Sequence, residues 1–360
     1  MDKGGVVTFF FLALICFFRV SESAASTAMF IFGDSLIDNG NNNYIPSIAK
    51  ANYFPYGIDV GIPTGRFCNG LTVTDYGARY LGLEFPPPYL SLSSGTAAIL
   101  RGVNYASAAA GILDDTGRNY GSRVTFNGQI ELFAKTLMLQ LPLLIPNSEA
   151  LSQYIANSLF VINIGSNDYI NNYLLPNLYT SSRTYSGDEF AQLLIANFAT
   201  QLEALYKLGA RKMLLVGIGP LGCIPSQLSI NNSTGACVER INELVMAFNK
   251  RLVPVMLELN STLPGSFFVY ENTYDSFYDI IKNPSKYGFT KNNQACCGNG
   301  RFGGAVSCLP LQTPCSDRDR YIFWDSFHPT QAANAVIARK CYSPSSTDCF
   351  PISASQLAKL

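Results

Sequence analysis

The sequence is poor in histidine and in charge. Only one histidine, His328, occurs in 360 residues, so a metal motif built on paired histidines cannot form. Charged residues make up 14% of the chain, roughly half the usual share, and 25 basic residues balance 25 acidic ones. Without a basic excess, the chain is not expected to bind nucleic acid. A hydrophobic content of 48% excludes an intrinsically disordered chain.

Long apolar runs are absent except near the N-terminus. Residues 6–18 form an apolar segment behind Lys3, and small residues follow it. The run is shorter than the ~20 residues needed to cross a bilayer, and its flanks are typical of a secretory signal. We therefore predict a signal peptide over residues 1–25, a secreted, extracellular protein and no transmembrane anchor.

The cysteines indicate the same compartment. Cleavage of the signal removes Cys16 and leaves nine cysteines, four of them in a Gly-rich loop at residues 296–315. In an oxidising compartment cysteines form disulfides, and the candidates are Cys223, Cys237, Cys296, Cys297, Cys308, Cys315, Cys341 and Cys349. Their pairing cannot be deduced, and the odd count leaves one thiol free or intermolecular. Zinc is the competing interpretation, but one histidine and a secretory route argue against it, so we expect no metal.

Three asparagines are candidate N-glycosylation sites. Asn231, Asn232 and Asn260 each begin an Asn-x-Ser/Thr sequon. The first two sequons overlap, so we expect only one of that pair to carry a glycan.

Short apolar runs predict the strands of a buried sheet. Each is bounded by Gly, Pro, Asn or Asp, as expected of parallel strands covered on both faces. These runs are residues 28–32, 158–164, 212–218 and 266–270.

Helical patterns alternate with these strands. The clearest spans residues 188–208, preceded by a capping box of Ser186 and Glu189. A second runs from 238 toward 259, bent or broken at Pro254, and a third follows Pro329. The alternation predicts a single α/β domain over residues 26–360 with a mostly parallel sheet. The loop-rich segments, residues 51–125 and 283–320, are expected to decorate it.

Three motifs place reactive groups near predicted strand ends. Ser35 follows the first strand in Gly-Asp-Ser-Leu, Asn167 follows the second in Gly-Ser-Asn-Asp, and Asp325 lies three residues before His328. Ligands of open α/β sheets bind beyond the carboxyl ends of the strands. A serine hydroxyl becomes a nucleophile when a neighbouring imidazole takes its proton. Taken singly, each motif also fits a structural role: a helix cap, a turn or a buried histidine.

Taken together, the motifs resemble the GDSL, or SGNH, hydrolases. The resemblance runs from Phe30 to Ile337 and is closest to the plant secreted esterase/lipase branch. It rests on FIFGDSLIDNGNNNY, PYGIDVGIPTGRFCNG, GVNYASAAAGILDDTG, VINIGSNDY, GIGPLGCIPSQ and FWDSFHPTQAAN. It implies a flavodoxin-like three-layer α/β/α sandwich and a secreted serine esterase or lipase of the apoplast or cell wall. Hydrolysis would proceed through an acyl-enzyme without cofactor or metal.

The resemblance also implies a role for each site residue. Ser35 would be the nucleophile, His328 the general base and Asp325 the residue that orients the histidine. The side chain of Asn167 and the backbone N–H of Ser35 would form the oxyanion hole. A third backbone donor would come from Ala108 or Gly111, with Ala108 standing where many relatives have glycine.

The sequence leaves the substrate open. We expect a small-molecule or lipid ester, no nucleic-acid partner and a monomer. An acyl lipid or related ester is one possibility, and an acetylated carbohydrate or a phenolic ester of the cell wall is another. A non-catalytic secreted binding protein on the same fold is the alternative from a different class.

Overall fold

The computed structural model describes Met1 and residues 26–93, 95–231 and 234–360. The predicted signal peptide falls outside these residues apart from Met1, as does Asn232. Within the described ranges, no helix combines the length and the apolar character that crossing a membrane requires.

Short strands and longer helices alternate along the chain. The strands are β1 (Met29–Gly33), β2 (Leu159–Asn163), β3 (Lys212–Val216), β4 (Phe267–Glu271), β5 (Lys291–Ala295), β6 (Gly298–Asn299), β7 (Val306–Ser307), β8 (Tyr321–Phe323) and β9 (Cys349–Phe350). The helices are α1 (Val73–Tyr80), α2 (Phe126–Lys135), α3 (Leu141–Leu144), α4 (Ser148–Asn157), α5 (Ser166–Asp168), α6 (Ser181–Thr184), α7 (Gly187–Lys207), α8 (Pro225–Ile230), α9 (Glu239–Thr262), α10 (Thr273–Lys282), α11 (Gln331–Tyr342) and α12 (Ala354–Leu357). The four strands of the predicted sheet are confirmed.

The central sheet has the order β1-β2-β3-β4-β9. Its first four strands are parallel, and the short β9 is antiparallel to β4. Residues 103–107 extend the sheet on the free side of β1. Ile31 donates to the Val103 carbonyl (3.0 Å) and accepts from the Tyr105 N–H (2.8 Å). With this segment counted, β1 lies inside the sheet, with residues 103–107 on one side and β2 on the other. The strand order therefore reverses at β1, as in a flavodoxin-like sheet, and ligands bind at such a reversal.

The side chains of each strand contribute to two separate hydrophobic cores, because successive residues point to opposite faces of the sheet. Phe30 and Phe32 lie with Phe160 in the core beneath α2, α7 and α9. Met29 and Ile31 lie in the core beneath α1 and α11. The result is the expected three-layer α/β/α sandwich.

Two sequence-based expectations need correction. Of the two alternatives at Pro254, the break is wrong: α9 runs unbroken through it, because its apolar face, including Leu252 and Met256, packs against α7 and outweighs one lost backbone hydrogen bond. Residues 103–107, expected in a decorating loop, instead pair with β1. Their pairing depends on a distant strand, so their local sequence gave little indication of it. The helix with the Ser186–Glu189 capping box is confirmed as α7.

All eight candidate cysteines form disulfides. The pairs are Cys223–Cys237, Cys296–Cys315, Cys297–Cys308 and Cys341–Cys349. The first staples the chain between β3 and α9, and the next two close the Gly-rich loop on itself. The remaining cysteine of the described chain, Cys68, is a buried free thiol.

The disulfide pattern predicts a simple alkylation result. In protein denatured without reductant, iodoacetamide should modify Cys68 and none of the eight paired cysteines. In the native protein Cys68 should also resist, because its side chain is buried and burial raises the pKa of its thiol to about 12. Peptide mapping by mass spectrometry measures both states, and a reduced sample is the control. Alkylation within residues 296–315 before reduction would contradict the pairing.

Candidate active site

Ser35 lies in the turn directly after β1. The last residue of that strand, Gly33, is held by Gln129, which is fully buried. The Gln129 side chain accepts from the Gly33 N–H (2.8 Å) and donates to the Gly33 carbonyl (2.8 Å). A side chain at Gly33 would collide with the carbonyl of Asn163 on β2. Glycine therefore lets β1 approach β2 closely just before Ser35.

Asp34 organises the turn that carries Ser35. Its carboxylate accepts from the Leu36 N–H (3.0 Å), and its carbonyl accepts from the N–H groups of Ile37 (3.2 Å) and Asp38 (2.9 Å). Among the described residues, the Ser35 N–H has no hydrogen-bond partner. The turn thus leaves this N–H available beside the Ser35 hydroxyl.

The three residues expected to act together are in contact. His328 Nε2 lies 2.8 Å from Ser35 Oγ, although the two residues are 293 positions apart. His328 Nδ1 lies 2.8 Å and 2.9 Å from the two carboxylate oxygens of Asp325. The three-residue spacing forms a turn after β8 in which the His328 N–H also donates to Asp325 (2.9 Å). This linear arrangement can pass a proton from the hydroxyl to the imidazole.

Tyr56 is a fourth member of this network that sequence reasoning missed. Its buried hydroxyl donates to Asp325 Oδ2 at 2.6 Å. Burial raises the pKa of Asp325, but the charge of His328 and the hydrogen bonds from His328 and Tyr56 lower it by more. The net result is a pKa below the ordinary value of an aspartate. The carboxylate therefore stays ionised without solvent. Tyr56 belongs to the PYGID stretch. This stretch was part of the resemblance, but none of its residues was assigned a role.

Asn167, at the start of α5, lines the cavity into which Ser35 and His328 open. Its Nδ2 donates to the Ala110 carbonyl (2.9 Å), and its Oδ1 accepts from Asn171 (2.6 Å). These two bonds fix which way the amide faces. An amide nitrogen has two hydrogens, so one remains for a ligand.

The two candidates for the third oxyanion donor, Ala108 and Gly111, differ in their surroundings. The Ala108 N–H is already engaged, because it donates to side chains of Asp38 (3.2 Å) and Asn42 (3.1 Å). Gly111 is not among the residues that line the cavity, and it packs so closely on Asp168 that a Cβ there would collide with the carboxylate.

Ala109, between these two residues, is a further candidate that sequence reasoning missed. It lines the cavity and has a φ of 68°, a left-handed conformation in which non-glycine residues are uncommon. Its N–H has no partner among the residues described.

Ser35 and His328 open into a cavity of about 210 Å³. Its walls are mostly apolar and include Tyr53, Phe67, Ile170, Ile224, Phe277 and Phe327. The ring of Phe67 packs against that of His328, with centroids 5.0 Å apart. Such a cavity suits a ligand with one reactive polar group and an apolar body.

Residues that could bind a metal are few in the described part of the chain. One group of three possible ligands, Glu271 with Cys341 and Cys349, is close enough. The two cysteines are bonded to each other, so neither offers a thiolate.

The profile of the GDSL-like lipase/acylhydrolase family matches residues 29–341. The chain belongs to this family. It is 62% identical over 336 residues to GDSL esterase/lipase 7 of Arabidopsis thaliana, covering 92% of each chain. It is also 50% identical to GDSL esterase/lipase At5g08460 of the same plant, over 94% of this chain and 90% of the other. This GDSL protein is accordingly a carboxylic ester hydrolase.

Asn231 and Asn260 are not among the residues that line the cavity of this GDSL protein. The Asn260 amide donates to the Phe268 carbonyl (2.9 Å) and accepts from the Phe268 N–H (2.7 Å), so it ties α9 to β4. The Asn231 amide donates to the Gln227 carbonyl (2.8 Å). Glycosylation at these asparagines stays a prediction.

Buried carboxyl groups surround the site of the GDSL protein. Burial raises the pKa of Asp34 to about 7, and one of its oxygens has no partner within the described structure. Burial likewise raises the pKa of Asp38 and of Asp168 to about 6 and that of Glu271 to about 8. Asp168 accepts from the N–H groups of Ile112 (2.7 Å) and Leu113 (3.1 Å), so it braces the loop that follows Ala109.

These raised values predict that the protein is more stable in mild acid than in base. A carboxyl group with a folded-state pKa above its unfolded value stabilises the fold below about pH 4, and that contribution is lost as pH rises through 6 to 8. For Asp34 alone the loss between pH 5 and pH 8 is about 3 kcal/mol. Urea unfolding at both pH values should show it, and Asp34→Asn should flatten the profile. Glu149→Gln, at an exposed position on α4, is the control; equal stability of the wild type at both pH values contradicts the prediction.

Tyr56→Phe tests the hydrogen bond to Asp325. Losing a hydrogen bond to a charged group should lower kcat about tenfold, with KM unchanged, because Asp325 holds the imidazole less firmly. The pKa of Asp325 should rise. On acidification, the variant should therefore lose activity at a higher pH than the wild type does. Tyr105→Phe is the matched control, since the buried Tyr105 hydroxyl donates to Thr136 (2.8 Å) and Tyr105 does not line the cavity. Equal kcat and equal pH profiles for the two variants would exclude a role for Tyr56.

Proposed function

We propose that this protein is a secreted serine esterase or lipase that hydrolyses acyl lipids or related carboxylic esters through an acyl-enzyme on Ser35. The observation that carries the proposal is the 2.8 Å distance between Ser35 Oγ and His328 Nε2, with Asp325 at 2.8 Å on the other side of the ring. A hydroxyl in this arrangement meets the geometric requirement for an activated nucleophile.

In the first half of the reaction, His328 Nε2 removes the proton as Ser35 Oγ attacks the ester carbonyl carbon. The carbonyl oxygen becomes an oxyanion in the tetrahedral intermediate. When the intermediate collapses, the bond to the alcohol oxygen breaks and the alcohol takes the proton from His328. Asp325 stabilises the imidazolium during this exchange and holds the ring in place.

In the second half, water replaces the alcohol. His328 takes a proton from the water as it attacks the acyl carbon, a second tetrahedral intermediate forms, and Ser35 leaves with the proton. The products are a carboxylic acid and the free enzyme.

Three donors stabilise the oxyanion in this proposal. They are the Ser35 N–H, the free hydrogen of the Asn167 amide and the Ala109 N–H. The Ser35 and Ala109 groups have no protein partner among the described residues, and Asn167 and Ala109 both line the cavity. Such preorganised donors supply much of the rate of acyl transfer, because they need no reorganisation when charge develops.

The apolar walls favour an acyl chain over a polar substituent. An acetylated carbohydrate would need several hydrogen-bonding groups along the cavity, whereas the walls named above offer few. A phenolic ester fits the aromatic groups Tyr53 and Phe67 and is the second candidate. A non-catalytic binding protein has no need of the Ser35–His328–Asp325 network, which argues against that class.

Secretion is part of the proposal. It is supported by the apolar run at residues 6–18 and by the four disulfides, which form in oxidising compartments. Alkylation mapping on protein collected from culture medium, with the N-terminal residue determined, tests the compartment and the cleavage near Ala25.

The decisive variant is His328→Ala. The sequence contains no second histidine to replace the base, so kcat on p-nitrophenyl esters should fall by roughly 10³-fold or more with KM little changed. Asp325→Asn should also lower kcat, and by less. Thermal unfolding of the same samples shows whether the variants fold.

A fluorophosphonate probe provides the control. It should label Ser35 of the wild type and fail to label Ser35→Ala, with the modified residue located by mass spectrometry. A folded His328→Ala protein that retains more than about a tenth of wild-type kcat would falsify the mechanism.

A further inference from the structure

Five exposed apolar side chains lie along one side of the cavity mouth and are here called the apolar rim. They are Ile48 (78% exposed), Phe54 (42%), Val306 (47%), Leu309 (48%) and Leu311 (87%).

The rim is continuous with the cavity wall. Ile48, Tyr53 and Ser307 line the cavity themselves. The Tyr53 hydroxyl donates to the Cys308 carbonyl (3.0 Å), and the Leu311 N–H donates to the Phe54 carbonyl (2.8 Å). The segments that contribute the rim are therefore bonded to each other beside the mouth.

The rim is also held outward. The Cys297–Cys308 and Cys296–Cys315 disulfides fix both ends of the segment that carries Leu309 and Leu311. Leu311 has a φ of 61°, a left-handed conformation that is unfavourable for leucine. Its side chain nevertheless projects into solvent. Rigid exposure of this kind reduces the ordering cost of binding.

The five rim side chains are themselves uncharged, although Lys50, two residues from Ile48, also lines the cavity. Residues 302–315 contain no Asp, Glu, Lys or Arg. Beyond this segment, Arg318 pairs with Asp59 at 2.7 Å, so the two charges neutralise each other. The segment 302–315 therefore offers an ionic partner no complementary group, whereas an apolar phase can cover its exposed side chains.

We propose that the apolar rim docks on a lipid surface and so brings lipid esters to Ser35; this proposal rests on the ester hydrolysis proposed above. The rim borders the mouth, so an occupant that did not contain substrate would obstruct entry. A lipid surface both covers the rim and supplies the ester. Burying the five side chains in the lipid removes their apolar area from water.

The test separates docking from chemistry. Binding is measured by flotation of the Ser35→Ala protein with phosphatidylcholine vesicles, with and without Leu309→Ser/Leu311→Ser. Hydrolysis is measured on emulsified triacylglycerol and on soluble p-nitrophenyl acetate in the Ser35 form. The rim variant should lose about tenfold or more in vesicle binding and in emulsion hydrolysis. Its kcat/KM on the soluble ester should stay within about twofold.

Two further variants make the result unambiguous. Leu139→Ser/Leu143→Ser removes equally exposed leucines, 66% and 65%, between α2 and α4, and should leave binding unchanged. Leu311→Gly removes the exposed side chain while relieving the left-handed strain, so it should fold at least as well as the wild type and still bind vesicles more weakly.

Several outcomes would overturn the proposal. One is equal vesicle binding by the wild-type rim and both rim variants. Another is an equal loss on soluble and emulsified esters, which would place the rim in substrate binding instead. A third is a wild-type dimer that the rim variants convert to a monomer on gel filtration, which would assign the rim to a second copy. If the wild type hydrolyses neither ester, the proposed function fails, while vesicle binding still decides the docking.

Discussion

The end of β1 is anchored on every side, and the site depends on that anchor. Gly33 exchanges two hydrogen bonds with Gln129, and its carbonyl also accepts from the Ser107 N–H at 3.0 Å. The next residue, Asp34, donates its N–H to the Asn163 carbonyl of β2 at 3.3 Å. Buried backbone groups that are fully paired cannot shift without losing several bonds at once. Ser35 therefore starts from a fixed position.

Buried carboxyl groups extend this rigidity to the surrounding loops. Asp38 accepts from the Gly40 and Asn41 N–H groups at 2.8 Å each, and from Ala108 across the site. Asp168 does the same for the loop after Ala109. Each group is costly to ionise in the interior, and each recovers part of that cost through hydrogen bonds. The fold thus uses polar groups that oppose stability at high pH to hold the loops around Ser35 in place.

The Gly-rich loop serves a different purpose from the sheet. It contributes little to either large core, and the two disulfides within it supply the order that burial does not. Because Ser307 of this loop lines the cavity, the oxidised state and the shape of the cavity mouth are linked. The rigid sheet positions the chemistry, and the stapled loop shapes its access.

The sequence by itself determined the strands, the three motifs and the family, because buried strands and reactive turns are local patterns. The resemblance pointed to Ser35, Asn167, Asp325 and His328 as site residues. The structure places all four around one cavity. Only the tertiary structure decided the disulfide pairs, the pairing of residues 103–107, the Tyr56–Asp325 bond and the left-handed conformation of Ala109. These features depend on backbone conformation or on contacts across distant segments. Tyr56 and Asp325, for example, are 269 positions apart, and no periodicity encodes such a contact.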